Sequence, residues 1–377
     1  MYFFNIKFRH FVDFFNLKGT IDIMNTIFPV ELTKNPRPKV ASDQLGFGKY
    51  FSDHMFLVDY ENGQWVKPRI VPYGPISLEP GASVFHYGQA MFEGTKAFRA
   101  QSGKIHLFRP EFHADRIAEG AKRLCMPSVP RDLFLSAIDQ LVKVDQSWIP
   151  NAKDSALYLR PTLIGTESFL GVRPSEKYLF FIITSPVGPY YAEKFSPVKI
   201  WIEDKLIRAA AGGLGAIKAA ANYAASLQAS TEAKKKNFSQ VLWLDAAEHK
   251  FIEEVGTMNV FFKINDKVIT PKLDGSILAG ATRDSVIKIL NDWGIPVSER
   301  KISLAEIDEA KKSGTLQEMW GTGTAAVISP VGLLANEKYH IEINQGKVGL
   351  LTEKLYRTLS DIHSGAAEDK YSWIKVI

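Results

Sequence analysis

Lys218 is the residue whose setting most suggests chemistry. It stands in Arg208-Ala-Ala-Ala-Gly-Gly-Leu-Gly-Ala-Ile-Lys218-Ala-Ala-Ala-Asn-Tyr223-Ala-Ala-Ser226, where glycine and alanine dominate both flanks. Small residues let a bulky group approach the backbone closely. Apolar surroundings desolvate an amine and favour its neutral, nucleophilic form. A neutral lysine condenses with carbonyls to give a Schiff base. The same stretch also fits an ordinary lysine in an alanine-rich helix, so the chemistry needs partners elsewhere. Lys234, Lys235 and Lys236 close a helical run, where cations suit the dipole, and read as a solvated face.

If the carbonyl belongs to a pyridine cofactor, two helpers are required. A carboxylate must face the ring nitrogen, because the protonated ring is the electron sink. An anion site of helix N-terminal N–H groups plus a cation must hold the phosphate. Glu253-Glu254-Val-Gly-Thr-Met-Asn259 offers carboxylates beside a glycine turn. Ile277-Leu-Ala-Gly280-Ala281-Thr282-Arg283 offers a glycine and a hydroxyl where a helical pattern begins, and Gly321-Thr322-Gly323-Thr324-Ala325-Ala326 is a loop rich in backbone donors. Singly, each also matches a common turn or N-cap. A lysine released by an incoming amine is already placed to move a Cα proton, so one residue can be anchor and general base. Glu254 must stay ionised in such a site, which a neighbouring cation network rather than burial would secure.

These side chains need a scaffold. At 377 residues the chain suits two domains or one large one. Hydrophobic content of 46% and charged content of 23% are those of a globular protein and exclude a wholly disordered or collagen-like chain. A net charge of +5 is too small to argue for nucleic acid, and no apolar run approaches a membrane span, so neither partner is expected. Cys125 is the single cysteine, which excludes an intramolecular disulfide and a cysteine-based metal cluster; a reducing, cytoplasmic setting fits. Met55–Tyr60, Lys104–Phe108, Ala156–Leu163 and Tyr178–Thr184 read as strands, and Glu111–Leu124 and Arg131–Val144 as helices. Three prolines and a glycine between Ser185 and Pro197 break both periods. The later half mixes strands (Val198–Ile202, Gln240–Asp245, Val260–Ile264) with helices (Tyr223–Lys235, Thr282–Trp293, Leu304–Ser313). The expected architecture is therefore α/β, with two α+β lobes and a site in the cleft between them. The expected divisions are an N-terminal extension 1–23, a small domain 24–186, a linker 187–197, and a larger domain 198–377 carrying Lys218. The extension, rich in aromatics such as Phe3, Phe4 and Phe8, lacks the features of a secretory signal or transit peptide. It reads as a loose end upstream of Met24 rather than a membrane-surface helix.

Taken together, the motifs resemble the branched-chain amino-acid aminotransferases, pyridoxal-phosphate enzymes of fold type IV. The likeness runs from about Gly46 to the chain's end. It includes Phe51-Ser-Asp-His-Met55, His86-Tyr87-Gly88-Gln-Ala-Met-Phe92-Glu93-Gly94, Leu107-Phe108-Arg109-Pro110 and Tyr158-Leu-Arg160-Pro-Thr-Leu-Ile-Gly165. The Lys218–Tyr223 segment, Glu254-Val-Gly-Thr-Met-Asn259 and Gly321-Thr-Gly-Thr-Ala325 complete it. The resemblance implies that Lys218 carries pyridoxal 5'-phosphate and shuttles the proton, that Glu254 pairs with the ring nitrogen, and that Tyr223 bonds the phenolic oxygen. It implies Arg109, Ala281 and Thr282, assisted by Thr322, for the phosphate. Phe47, Phe92, Tyr158 and Thr257 would shape the side-chain pocket, Tyr158 and Arg160 would admit the distal carboxylate of glutamate, and the backbone at Thr324 and Ala325 would take the α-carboxylate. Tyr87, Leu170 and Val172 match positions that reach a neighbouring subunit's site, implying a homodimer. The activity implied is reversible transfer of the amino group of L-leucine, L-isoleucine or L-valine to 2-oxoglutarate. Mammalian members carry a Cys-x-x-Cys switch after the Gly-Thr-Gly-Thr loop; Ala326-Val-Ile-Ser329 stands here, which rules out that thiol control.

Other classes compete. Gly321-x-Gly323-x-x-Ala326 fits a dinucleotide fingerprint, but only if the loop opens a helix, and the β-branched, proline-broken run after it argues otherwise. D-amino-acid aminotransferase and aminodeoxychorismate lyase share the fold and would share Lys218 and Glu254. A non-enzymatic binder would have no use for a reactive lysine with a matched acid. His54, His86 and His113 lack metal-ligand spacing and read as structural, and no metal is expected. Trp201, Trp243 and Trp320 read as core.

Overall fold

The computed structural model describes residues 27–188 and 195–377. The expected extension 1–23 and the middle of the expected linker, residues 189–194, lie outside the described residues. Among the described residues two sheets organise the chain. The first has eight strands, antiparallel throughout, in the order Ile374–Val376, Ile105–Phe108, Thr95–Arg99, Ala156–Gly165, Tyr178–Val187, His54–Glu61 and Gln64–Pro72, with Ala90–Phe92 beside Ala156–Gly165. Alternation along Ala156–Gly165 decides which side chains do what, since successive residues of a strand face opposite ways. Leu157, Leu159 and Leu163 enter a core with Phe56, Phe134 and Phe180. Tyr158 and Arg160 take the opposite face, where the functional cavity lies. The helices Pro110–Arg123 and Arg131–Val144 bury Ile117, Phe134, Ile138 and Leu141 in that same core. Pro110 suits the first helical position, where its missing N–H costs nothing.

The second sheet has nine strands. Ile252–Val255, Gln240–Leu244, Val198–Glu203, Val327–Ala335, Leu316–Gly323 and Met258–Ile264 follow one another, and the last pairs back onto the first, so these six form a closed ring. Lys267–Thr270, Val297–Glu299 and His340–Glu342 add outside it. Ile200, Leu242, Val260, Phe262 and Met319 belong to its core. A third cluster ties the two bodies together: Phe108 and Trp373 pack with Phe261, Ile289, Trp320 and Leu355.

The expected strands and helices are present, with three differences. The single helix Tyr223–Lys235 is two, Ala220–Ala225 and Leu227–Lys235, broken at Ser226, whose hydroxyl donates to the Tyr223 carbonyl at 2.7 Å. The strand ending at Thr184 runs on to Val187, because Ser185, Pro186 and Val187 pair with Tyr158, Leu157 and Ala156; a proline there is tolerated in spite of its missing donor. The chain end, expected in the larger domain, returns to pair Ile374–Val376 with Ile105–Phe108 in the first sheet. The helix Leu350–Ser364, which the periodicity reading did not single out, packs against both sheets on the way.

Phe180 is fully buried and touches Phe56, Trp65 and Phe134. Phe180→Ala is expected to cost about 3–5 kcal/mol, by lost transfer energy plus a cavity. Denaturant unfolding should show a lower midpoint with an unchanged slope.

Candidate active site

A cavity of about 390 Å³ is walled by residues of both sheets. Lys218 reaches it from a turn-rich run that the glycines permit, two residues before helix Ala220–Ala225. The Asn222 amide pins this run by donating to the carbonyls of Leu214 and Ile217 at 2.8 and 3.0 Å. The Lys218 carbonyl accepts from the Phe92 N–H at 3.1 Å, fastening the turn to the first sheet. Its Nζ donates to the Tyr223 hydroxyl at 2.5 Å and lies 4.9 Å from the Phe92 ring centroid. Burial, and then repulsion by Arg116, lower the amine to about 8. Burial, and then Glu254, push the Tyr223 hydroxyl up to about 12, so it stays protonated near neutral pH.

Glu254 lies on Ile252–Val255, which turns through Gly256 and Thr257 into Met258–Ile264. Gly256 has φ of +59°, a conformation open to glycine, and the Trp243 indole donates to its carbonyl at 3.0 Å. The turn thereby presents Thr257 to the cavity and Glu254 beneath Tyr223, in a recess shared with Arg208. One Glu254 oxygen accepts the Leu278 N–H at 2.9 Å, and the other lies 3.4 Å from Arg208 Nε. Burial raises this carboxyl; Arg208 and the Leu278 N–H offset part of the rise but leave it above its ordinary value. The expected cation is thus present, yet burial remains the larger effect. Glu253, at a bulge between Ile252 and Glu254, instead bonds the Ser276 hydroxyl.

At the far wall the helix Ala281–Asp292 begins. Gly280 precedes it without a side-chain cap, and Gly280, Ala281 and Thr282 line the cavity. The first N–H groups of a helix lack internal partners, and this end presents them with the Thr282 hydroxyl. The Thr322 hydroxyl is buried there with no hydrogen-bond partner. Uncapped N–H groups, an unsatisfied hydroxyl and an arginine together fit a phosphate.

That arginine is a correction. Arg109, expected at the phosphate, does not line the cavity. Its guanidinium is bound to Asp284 at 2.6 Å, the Ser285 hydroxyl at 2.8 Å and the Ala281 carbonyl at 3.1 Å, so it fastens the first lobe to the outside of the helix start. Arg116 lines the cavity instead. It lies two turns inside the helix, whereas Arg109 precedes the helix in a left-handed conformation that aims its side chain elsewhere. The motif Phe108-Arg109-Pro110 drew attention to the wrong cation. Glu93 grips Arg116 through two bonds of 2.7 Å and accepts from His113 Nδ1 at 2.8 Å, and Arg116 donates to the Ala279 carbonyl at 2.8 Å. Burial would raise the Glu93 carboxyl, but Arg116 and His113 outweigh it and hold the group far below the usual carboxylate range.

Phe47, Phe92, Tyr158, Arg160, Thr257, Thr324 and Ala325 line the same cavity. Phe47 meets Tyr158 edge-on at 5.0 Å, and Arg160 donates to the Tyr158 hydroxyl at 3.2 Å while its guanidinium lies 4.4 Å from the Phe92 centroid. A Cβ on Gly94 would collide with the Tyr158 oxygen, so only glycine admits that ring. Tyr87, Leu170 and Val172 are not in the lining; they are 40%, 69% and 89% exposed, and the Tyr87 hydroxyl bonds the Leu170 carbonyl. His54 bridges Asp145 and the Thr33 N–H, His86 faces the Pro80 carbonyl, and Trp243 and Trp320 are fully buried. The Gly321–Ala326 segment joins two antiparallel strands rather than opening a helix, which removes the dinucleotide reading.

Comparison with known proteins agrees with this geometry. Residues 90–334 match the family Amino-transferase class IV. The chain is 51% identical over 345 residues to branched-chain-amino-acid aminotransferase 2 of Bacillus subtilis (strain 168), covering 91% of this chain and 95% of that protein. Its fold is similar to the crystal structure of the Escherichia coli branched-chain amino acid aminotransferase, with a TM-score of 0.71 at 25% identity over 86% of this chain and 98% of that one. It is also similar to the branched-chain amino acid aminotransferase from Thermobaculum terrenum in its PLP-form, with a TM-score of 0.69 at 22% identity over 85% and 97%. The chain belongs to the class IV aminotransferases, and within them to the branched-chain amino-acid aminotransferase family.

The lowered amine predicts a pH profile. Below about pH 8 Lys218 is mainly protonated and unreactive toward aldehydes; above it the neutral amine predominates. Borohydride trapping of pyridoxal phosphate on the cofactor-free protein, followed by peptide mapping, should show labelling of Lys218 that rises through pH 8 and levels off. A rise continuing toward pH 10 would mark a solvated lysine.

Proposed function

We propose that this protein transfers the amino group of L-leucine, L-isoleucine or L-valine to 2-oxoglutarate, reversibly, with pyridoxal 5'-phosphate carried on Lys218. The observation that carries the proposal is a cavity containing a lysine of lowered pKa bonded to Tyr223 and an uncapped helix start with an arginine beside it, adjoined by a recess that shares Tyr223 and holds Glu254 with Arg208. Pyridoxal phosphate, when bound, supplies a ring that accepts the electron pair left at the substrate Cα.

The chain's own residues do the rest. Arg116, the first N–H groups and hydroxyl at Thr282, the backbone at Ala281 and the Thr322 hydroxyl hold the phosphate. Tyr223 donates to the phenolic oxygen. Glu254 accepts the ring N–H; although burial alone favours its protonated form, a cationic ring beside it adds the charge that keeps it ionised. Lys218, once released, takes the proton from Cα, and its lowered pKa leaves a useful neutral fraction near neutral pH. Phe47, Phe92, Tyr158 and Thr257 supply an apolar wall for the branched side chain. Arg160, whose Nε is buried without a partner, sits in that wall ready for the distal carboxylate of glutamate. The backbone at Thr324 and Ala325 receives the α-carboxylate.

The proposal includes a homodimer. Phe85 and Tyr87 on the short helix Ser83–Tyr87, and Phe169, Leu170 and Val172 on the loop beside it, are exposed apolar side chains, and the two segments are joined by the Tyr87–Leu170 bond and the Ala82–Ser168 bridge. A second copy covering them would remove that surface from water. The division at 24–186 and 198–377, apart from the returning C-terminal strand, and a cytoplasmic setting belong to the same proposal. No helix among the described residues is long and apolar enough to cross a membrane.

Two measurements check this reading. The purified holoenzyme should show a visible cofactor absorbance that bleaches on adding L-leucine and returns with 2-oxoglutarate, and Lys218→Ala should fold normally yet lose turnover. Response to D-alanine but not L-leucine would reassign the substrate. Arg116→Ala should weaken cofactor binding about 10- to 100-fold, the worth of hydrogen bonds to a charged group. Arg109→Ala should leave cofactor affinity nearly unchanged and lower the melting temperature, because its partners are protein groups.

A further inference from the structure

We propose that Lys96 is a positioning residue for the substrate's α-carboxylate: it grips the Ala325 carbonyl from behind the turn and so aims the Ala326 N–H into the substrate cavity. Lys96 lies on strand Thr95–Arg99, in register with Tyr158. It is buried and does not line the substrate cavity. It lines a second cavity, of about 600 Å³, that shares Ala325 and Ala326 with the first. The Ala325–Ala326 peptide is therefore the wall between them. Lys96 Nζ donates to the Ala325 carbonyl at 2.7 Å. In a planar trans peptide the carbonyl and the following N–H point opposite ways. A carbonyl held toward Lys96 thus sends the Ala326 N–H away from it, toward the substrate side. A charged donor on the oxygen also polarises the amide and strengthens that N–H as a donor.

Two further observations say why a cation is kept there. Among the described residues no carboxylate stands within ion-pair distance of Lys96, and burial lowers its amine to about 8 with only Asp154 opposing at longer range. A buried cation without a carboxylate partner is costly, and the group that answers this one is the Ala325 carbonyl. The turn it holds is also not self-sustaining. Gly323 pairs with Val327 across three loop residues, and Val327 has φ of +61°. A positive φ favours glycine, and a β-branched residue held there is strained. An external clamp from the other sheet offsets that strain.

This inference rests on the reading that the turn carrying Thr324 and Ala325 receives the α-carboxylate. It is tested on holoenzyme by titrating the cofactor's visible absorbance with L-leucine and with 3-methylbutylamine, which has the same side chain and no carboxylate. Lys96→Met should weaken leucine about 10-fold or more and leave the amine within about twofold, since only the carboxylate loses a contact to an aimed donor. L-Valine should weaken in the same proportion as leucine, and Lys96→Arg should recover most of the loss. If Lys96→Met does not fold, Lys96→Gln, which keeps a neutral donor, should give the same contrast at about threefold. Equal weakening of leucine and amine, or no weakening of leucine, overturns the inference. A wild-type enzyme that ignores leucine overturns the branched-chain reading instead, and the amino acid it does accept, compared with its decarboxylated amine, then reads Lys96 on its own.

Discussion

Ionisable groups crowded into a space shielded from water can coexist only if each charge is answered by another, and this constraint orders the whole site. Lys218 has to be neutral part of the time, so Arg116, whose repulsion lowers its amine beyond what burial does, must help without being left unpaired. Glu93 meets that need: wholly buried, it takes two hydrogen bonds from Arg116 and one from His113. Arg208 and the Leu278 N–H do the same for Glu254. The result is a cavity in which one amine is depressed, with a poised carboxylate in the adjoining recess, while Glu93 answers Arg116 and Glu254 answers Arg208. Such pairs add little net stability, because desolvation consumes most of the attraction. Their effect is on where protons reside.

The two sheets divide this work. The antiparallel sheet supplies the apolar wall and Arg160 through alternate residues of Ala156–Gly165, whose other residues hold the core. The closed ring of the second sheet supplies the turn carrying Glu254 and Thr257 and the turn from Thr324 to Ala326. Contacts cross the boundary at each critical point: Arg109 to Asp284, Arg116 to Ala279, Lys96 to Ala325 and Lys218 to Phe92. Cavity and lobe interface are thus one feature, and movement of one lobe would disturb every catalytic group together.

Which parts were legible depended on how local the signal was. Lys218 and Tyr223 lie five residues apart in a run of small residues, and Glu254 sits beside a turn marked by Gly256; each window is ambiguous alone, and together they carry the family resemblance. The helix Ala281–Asp292 is readable from Gly280 and Thr282. Arg116 was not, because on a charged amphipathic helix nothing local separates an arginine facing a cavity from one facing water. Its mark is Glu93, twenty-three residues earlier, and only packing brings the two together. The break at Ser226 was hidden for a related reason: alanine and leucine favour continuous helix, and a hydroxyl bonding to the Tyr223 carbonyl overrides them.

By itself the sequence determined the strands and helices that frame the site, since period and turn signals act over a few positions, and it carried the motifs whose resemblance to a family implied the lysine, tyrosine and glutamate. Only the tertiary structure decided which arginine faces the cavity, which carboxylate answers which cation, and that the final strand returns to the first sheet. Those outcomes are set by burial and by contacts between residues far apart in the chain, and a charge's behaviour follows the partners and the water around it rather than its neighbours in sequence.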